Sequence, residues 1–136
     1  MRSLFIDSDI LLDLILKRNP FYEWALGLFF LIDEKKYSGC TSVHSLLNVH
    51  YIAKKTVGEK SARASIKLLS NKINIVQENL SIVEKALESD ISDFEDAVQH
   101  YAAVSAGTNF IITRNIKDYK HAAIPVLTAE QFLRQL

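Results

Sequence analysis

The chain has 136 residues, about one domain's length, and its hydrophobic fraction of 49% is ordinary for a domain that buries a core. Sixteen Lys plus Arg balance sixteen Asp plus Glu, which argues against a basic module that binds nucleic acid or an anionic membrane through net charge alone. One cysteine, Cys40, excludes an internal disulfide and a cysteine-rich metal site.

No charged, cleavable leader is visible at the start, so the expected compartment is the cytoplasm. The longest apolar run, 24–32, is far short of the roughly 20 residues of a membrane helix, so no membrane partner is expected. Four glycines and two prolines leave no linker, and a single unit over residues 1–136 is expected.

In chain order, Leu4-Phe5-Ile6 reads as a short buried strand that ends at Asp7, and Ile10, Leu11, Leu14 and Ile15 recur at helical spacing. Asn19-Pro20 is read as an N-cap and first helical residue, opening a helix with Trp24, Leu28, Leu31 and Ile32 on its buried side. A strand is expected around Gly39-Cys40-Thr41, then a helix through Val43, Leu46, Val49 and Ile52 that Gly58 closes. Residues 62–69 read as another helix and 73–76 as a strand.

Ser81 with Glu84 and Ser92 with Glu95 have capping-box spacing, and the helix after the second box is expected to bury Phe94, Val98 and Tyr101 until Gly107 ends it. Phe110-Ile111-Ile112-Thr113 is the clearest strand, Ile124-Pro125-Val126-Leu127 an edge strand where proline is tolerated, and Thr128 with Gln131 starts a last helix. Strands alternating with helices predict the α/β class: a three-layer α/β/α arrangement around a central, mainly parallel sheet.

Ligands of such sheets bind beyond the carboxyl ends of the strands, which directs attention to three acidic features. Asp7-Ser8-Asp9 follows the first strand and could offer oxygen ligands to Mg²⁺ or Mn²⁺, although Ser8 or Asp9 could equally cap the next helix. Asp93 and Asp96 share a face at a helix start, continued by His100, and Glu95 suits a capping role. The loop Thr113-Arg114-Asn115-Ile116-Lys117-Asp118 can present Asp118 to the same place while Arg114 and Lys117 face an anionic substrate.

Acids converging at a sheet edge repel one another without a cation, and a bound divalent ion that activates water suits phosphodiester hydrolysis. The metal candidates are thus Asp7, Asp9, Asp93, Asp96 and Asp118, and the candidate substrate contacts Ser8, Thr113, Arg114 and Asn115.

Four segments carry a family resemblance: Ile6 to Asp13, Asp93 to Gln99 with Tyr101-Ala102-Ala103, Ile111 to Tyr119, and Ile124 to Leu133. In order and spacing they resemble PIN-domain proteins, in particular the VapC-type ribonuclease toxins of bacterial toxin–antitoxin pairs. The resemblance implies a parallel sheet flanked by helices, Mg²⁺- or Mn²⁺-dependent endoribonuclease activity on RNA, a homodimer, and a small antitoxin that blocks the site.

Carried over by position, Asp7 is the ligand after the first strand, Asp96 the ligand at the helix start and Asp118 the acid after the fourth strand, with Thr113 and Asn115 shaping that loop. Two positions depart from the pattern. Asn48 stands where the family usually has a glutamate, and Asp9 where it commonly has Asn or Ser, so Asp9 or Asp93 would supply the missing carboxylate.

Two alternatives come from the same residues. Asn48 is compatible with a catalytically weakened PIN fold that binds RNA or protein, and Asp7-Ser8-Asp9 also resembles the first motif of haloacid-dehalogenase-type phosphatases. His44 and His50 do not share a helix face, which disfavours a zinc pair, and Cys40 reads as a small buried hydrophobe.

Overall fold

The computed structural model describes all residues, 1–136. In chain order the elements are β1 (Ser3–Ile6), α1 (Ser8–Ile15), α2 (Tyr22–Asp33), β2 (Ser38–Ser42), α3 (Val43–Val57), α4 (Glu59–Lys72) and β3 (Asn74–Val76). There follow α5 (Leu80–Leu87), α6 (Phe94–Ser105), β4 (Phe110–Ile112), a 3₁₀ turn at Ile116–Tyr119, β5 (Val126–Leu127) and α7 (Ala129–Arg134).

All strand pairs are parallel, in the order β3-β2-β1-β4-β5. The central strand β1 pairs on one side with β2 and on the other with β4, where Leu4, Phe5 and Ile6 face Phe110, Ile111 and Ile112. Alternation along these apolar strands divides the core between two faces. Leu4, Ile6, Phe110 and Ile112 pack with Ile10, Leu28, Val49, Leu69 and Phe132 from α1–α4 and α7. Phe5, Cys40 and Ile111 pack the other way, against Ile82, Ala102 and Ala103 of α5 and α6.

This is the expected three-layer architecture. Gly39 in β2 is required by close approach, because a Cβ there would lie 2.8 Å from Ile32 and Ile73 side-chain atoms.

Several local expectations change. Proline does not open α2: the Asn19-Pro20 bond is cis and sits in a turn in which Phe21 and Tyr22 N–H groups donate to the Arg18 carbonyl, and the helix begins at Tyr22. α5 is capped by Asn79, whose side chain accepts from the Ile82 N–H at 3.0 Å, instead of by Ser81. α6 is capped by Asp93, which accepts from the Asp96 N–H at 2.9 Å, one position later than the Ser92–Glu95 box.

That register exposes Phe94, packs Val98 and Tyr101 partly buried against the core as expected, and buries Ala97, Gln99, His100, Ala102 and Ala103 fully. α4 is longer than its apolar core suggests, because Gly58, at φ 87°, ends α3 and adjoins the start of α4 directly. The capping box at Thr128 and Gln131 is present as expected.

The chain moves outward from β1 through β2 to β3, then crosses the opposite face by α5 and α6 to return on the far side at β4. The order therefore switches between β1 and β4, and the crevice beyond their carboxyl ends is where such sheets take ligands. Asp7 and Thr113 stand at those two ends.

Candidate active site

Asp7 leaves β1 with its N–H donating to the Ile112 carbonyl at 3.0 Å, which ties the residue to the end of β4. As N-cap of α1, its Oδ1 accepts from the Ser8 N–H at 2.8 Å. Its Oδ2 accepts from Thr113 Oγ1 at 2.9 Å and from the Tyr119 hydroxyl at 3.2 Å. Three neutral donors thus fix the carboxyl without supplying charge. Burial outweighs them and raises its pKa, with a smaller push from Asp118.

Asp9, in the first turn of α1, accepts from the Arg114 N–H at 3.1 Å and Asn115 Nδ2 at 3.4 Å, while its Oδ1 is buried without a partner. Burial, then the charge of Asp7, pushes it up to about 6. Asp96, in the first turn of α6, is pushed up to about 7 by burial first and then by Asp93, Asp118, Asp7 and Glu95. Tyr119 is also raised, by burial and the surrounding acids, and so stays a hydrogen-bond donor. Asp118 is exposed on the 3₁₀ turn, its N–H bonded to the Asn115 carbonyl.

The structure therefore brings Asp7, Asp9, Asp96 and Asp118 within one electrostatic neighbourhood at the β1/β4 edge. None of the salt bridges in the molecule involves any of these four. Asp93 reaches Asp96 through its charge but spends its carboxylate on the helix cap. Asn48, on α3, donates from Nδ2 to Ser8 Oγ at 3.1 Å, so an amide adjoins the Asp7-Ser8-Asp9 corner.

Arg114 does not point outward with Lys117. Its Nε lies 3.2 Å from Oδ2 of the fully buried Asp13 and its guanidinium covers the Phe21 ring at 4.1 Å; its backbone N–H bonds Asp9, on which its charge also acts without a salt bridge. His100 is buried in α6 and accepts from the Ala123 N–H at 2.9 Å, so it pins the β4–β5 loop and does not continue the exposed acidic face. His44 and His50 pair separately with Glu95 and Glu59. Cys40 is buried, its thiol pushed up to about 12 by burial, which keeps it unreactive.

Three residues of this region escape a reading by strand-end acids. Tyr119 is a hydroxyl buried among apolar neighbours, and its place just after Asp118 is its only signal in the chain. Asp13 interrupts the apolar stripe of α1, with Arg18 five residues on; that pairing of an acid on a buried face with a nearby arginine is legible in principle. Gln99 accepts from Ser42 Oγ at 2.7 Å inside the core and joins α6 to the end of β2.

No three His, Cys, Asp or Glu side chains are gathered tightly enough to hold an ion as they stand. The donor chemistry nevertheless fits a hard divalent cation that keeps most of its water and takes one or two carboxylates, as Mg²⁺ usually does. The oxygen-only donors, the partnerless Asp9 Oδ1 and the raised Asp7, Asp9 and Asp96 carboxyls all describe negative charge awaiting a counter-ion.

Fold and site together define a three-layer α/β domain with its acids at the topological switch. The family model described as PIN domain matches residues 3–117, and the chain belongs to the PIN-domain family. That membership replaces the phosphatase alternative.

Its structural neighbours include proteins solved as VapC or within VapBC and other toxin–antitoxin complexes. The chain is similar to a toxin–antitoxin complex from Klebsiella pneumoniae at 26% identity and TM-score 0.68, covering 93% of this chain and 98% of that one. It is similar to DNA-bound VapBC from Salmonella typhimurium at 16% identity and TM-score 0.72, over 95% and 99% of the two chains. The sarcin-ricin loop cleaving toxin VapC20 of Mycobacterium tuberculosis matches at 19% identity and TM-score 0.64, over 80% and 87%. No curated protein matches the sequence significantly.

Proposed function

We propose that residues 1–136 act as one Mg²⁺- or Mn²⁺-dependent endoribonuclease domain, the toxin of a toxin–antitoxin pair. The observation that carries this reading is the set of carboxyls at the switch point, Asp7, Asp9 and Asp96, all raised by burial and mutual charge and none in a salt bridge.

Asp7, Asp96 and Asp118 would hold the ion, with Asp9 close by. The bound ion supplies a water acidified towards hydroxide and neutralises charge on the phosphodiester. Thr113 and Tyr119 keep Asp7 Oδ2 aimed, so the carboxylate pays little to reorganise. Asp96 holds a proton near neutral pH and releases it when positive charge arrives, which couples occupancy to pH. Asn115 and the Arg114 N–H orient Asp9 from the loop after β4.

RNA is the proposed substrate, and the cytoplasm its place of action. Likeness to chains solved within VapBC and toxin–antitoxin complexes supports a protein antitoxin as partner, and a homodimer is proposed on the family resemblance alone.

The test is cleavage of a structured RNA with Mn²⁺ or with EDTA. The wild-type chain is expected to cut only with Mn²⁺, and Asp7→Asn or Asp96→Asn to abolish cutting. Metal-independent RNA binding without cleavage would favour instead a PIN fold kept for binding, the reading that the amide of Asn48 suggests.

A further inference from the structure

Beside the acidic edge, on the side of α1 away from α6, lies a second cleft of about 360 Å³, within the size range of small-ligand sites. Phe21 and Trp24 form its aromatic wall, Arg114 and Asn115 its side towards the acids, and Glu130 its outer rim. At its base is Asp13, whose side chain has no solvent exposure.

Its chemistry is not that of plain core. The Arg114 guanidinium covers one face of Phe21 at 4.1 Å, so two aromatic rings, Phe21 and Trp24, and one guanidinium plane line the space, while Arg134 lies outside the lining, 5.1 Å from Trp24. Aromatic rings and arginine planes are the surfaces on which unpaired bases stack. Asp13 Oδ1 accepts from Arg18 Nε at 2.9 Å, but Asp13 Oδ2 and Arg114 Nε, though 3.2 Å apart, are off the hydrogen-bonding line, and both remain without a hydrogen bond. A buried acceptor left in that condition matches an amino N–H of a base.

The cleft is also continuous with the acids. Asn115 both lines it and donates to Asp9, and the Arg114 backbone N–H donates to the same carboxylate. A nucleotide whose phosphate lies at the acids can therefore turn its base into the cleft. Resting on the ribonuclease reading above, we propose that this cleft is a nucleobase subsite that stacks an amino-bearing purine beside the scissile phosphate, with Asp13 accepting from its amino group.

Trp24 is the only tryptophan in the chain, which gives the cleft its own reporter. With Mg²⁺ present to offset the acids, guanosine monophosphate, which has no phosphodiester to cleave, is expected to quench Trp24 emission saturably, whereas ribose 5-phosphate, which lacks the base, leaves it unchanged. Phe21→Ala should weaken the nucleotide about fivefold or more, the lower end of base–aromatic stacking. Phe30→Ala, an exposed position on the same helix, should leave affinity unchanged. Inosine monophosphate, without the amino group, should bind about tenfold more weakly, as expected for one hydrogen bond to a charged acceptor.

Absence of quenching by guanosine monophosphate overturns the proposal and leaves the cleft to a protein partner. Equal responses to ribose 5-phosphate, or equal affinity for inosine monophosphate or in Phe21→Ala, overturn it as well. A Mn²⁺-dependent cleavage assay on the same preparation separates the two readings: cleavage without a nucleotide response sinks the subsite alone, and a nucleotide response without cleavage sinks the nuclease alone.

Discussion

Two sets of carboxylates share α1 and its surroundings, and they are treated in opposite ways. Asp13 is buried completely, yet Arg18 and Arg114 approach it at 2.9 and 3.2 Å. Asp7, Asp9 and Asp96 are buried in part, receive only neutral donors or none, and lie in no salt bridge. A charge that belongs to the scaffold has its counter-ion in the chain. The charges at the switch point lie in no salt bridge, the one opposing charge, Arg114 on Asp9, is outweighed by burial and Asp7, and the raised pKa values record the deficit.

The largest test of this contrast is catalytic. Replacing Asp7 or Asp96 by Asn is expected to lower Mn²⁺-dependent RNA cleavage by more than about 100-fold, beyond the loss usual for residues that merely support a metal ligand. Wild-type rates in either variant, measured under single-turnover conditions, would remove the acids from the reaction.

Asp13 should fail differently. Asp13→Ala leaves Arg18 and Arg114 without their shared partner, and because both arginines can still reach water the expected loss of stability is about 2–3 kcal/mol, just below the range for breaking a buried pair. Urea unfolding measures it, and unchanged stability would show that Asp13 is not held by its two arginines.

A smaller effect distinguishes donors from charges. Thr113→Val keeps the shape but removes the hydroxyl that donates to Asp7 at 2.9 Å, and should weaken Mn²⁺ about tenfold while stability changes little. Unchanged Mn²⁺ affinity in a calorimetric titration would mean that Thr113 does not aim Asp7.

The gentlest test is pH. Asp9 and Asp96 rise from 3.8 to about 6 and about 7, so the folded chain holds protons that the unfolded chain releases. Their contribution to stability is therefore greatest below about pH 4 and is lost as pH rises through 6 and 7. In EDTA the unfolding free energy, corrected for other groups by the Asp9→Asn and Asp96→Asn variants, should fall over that interval. Saturating Mn²⁺ should reverse the trend.

The strand ends were legible because their signal is local: an apolar run too short for a helix stops at a polar residue, an acid at Ile6–Asp7 and a hydroxyl at Ile112–Thr113. Sheet order and the sharing of Asp7 between two strand ends depend on crossovers and were accessible only as a class expectation. Helix starts were harder. Ser92 and Asp93, or Ser81 and Asn79, are all competent caps, and choosing between them depends on which register buries Ala97 and Ile82.

Arg114 shows the same limit for chemistry. Its place in a polar loop suggests an outward cation, whereas the partner that turns it inward, Asp13, is 101 residues away in the chain. Long-range pairing of this kind leaves no trace in local spacing.

The most direct measurement is titration of Mn²⁺ into the metal-free chain near pH 6, in two buffers of different ionisation enthalpy. Uncompensated acids predict binding with release of protons, and loss of most of that release in Asp96→Asn. Absence of binding, or binding with no proton released, would contradict a site built to wait for a cation.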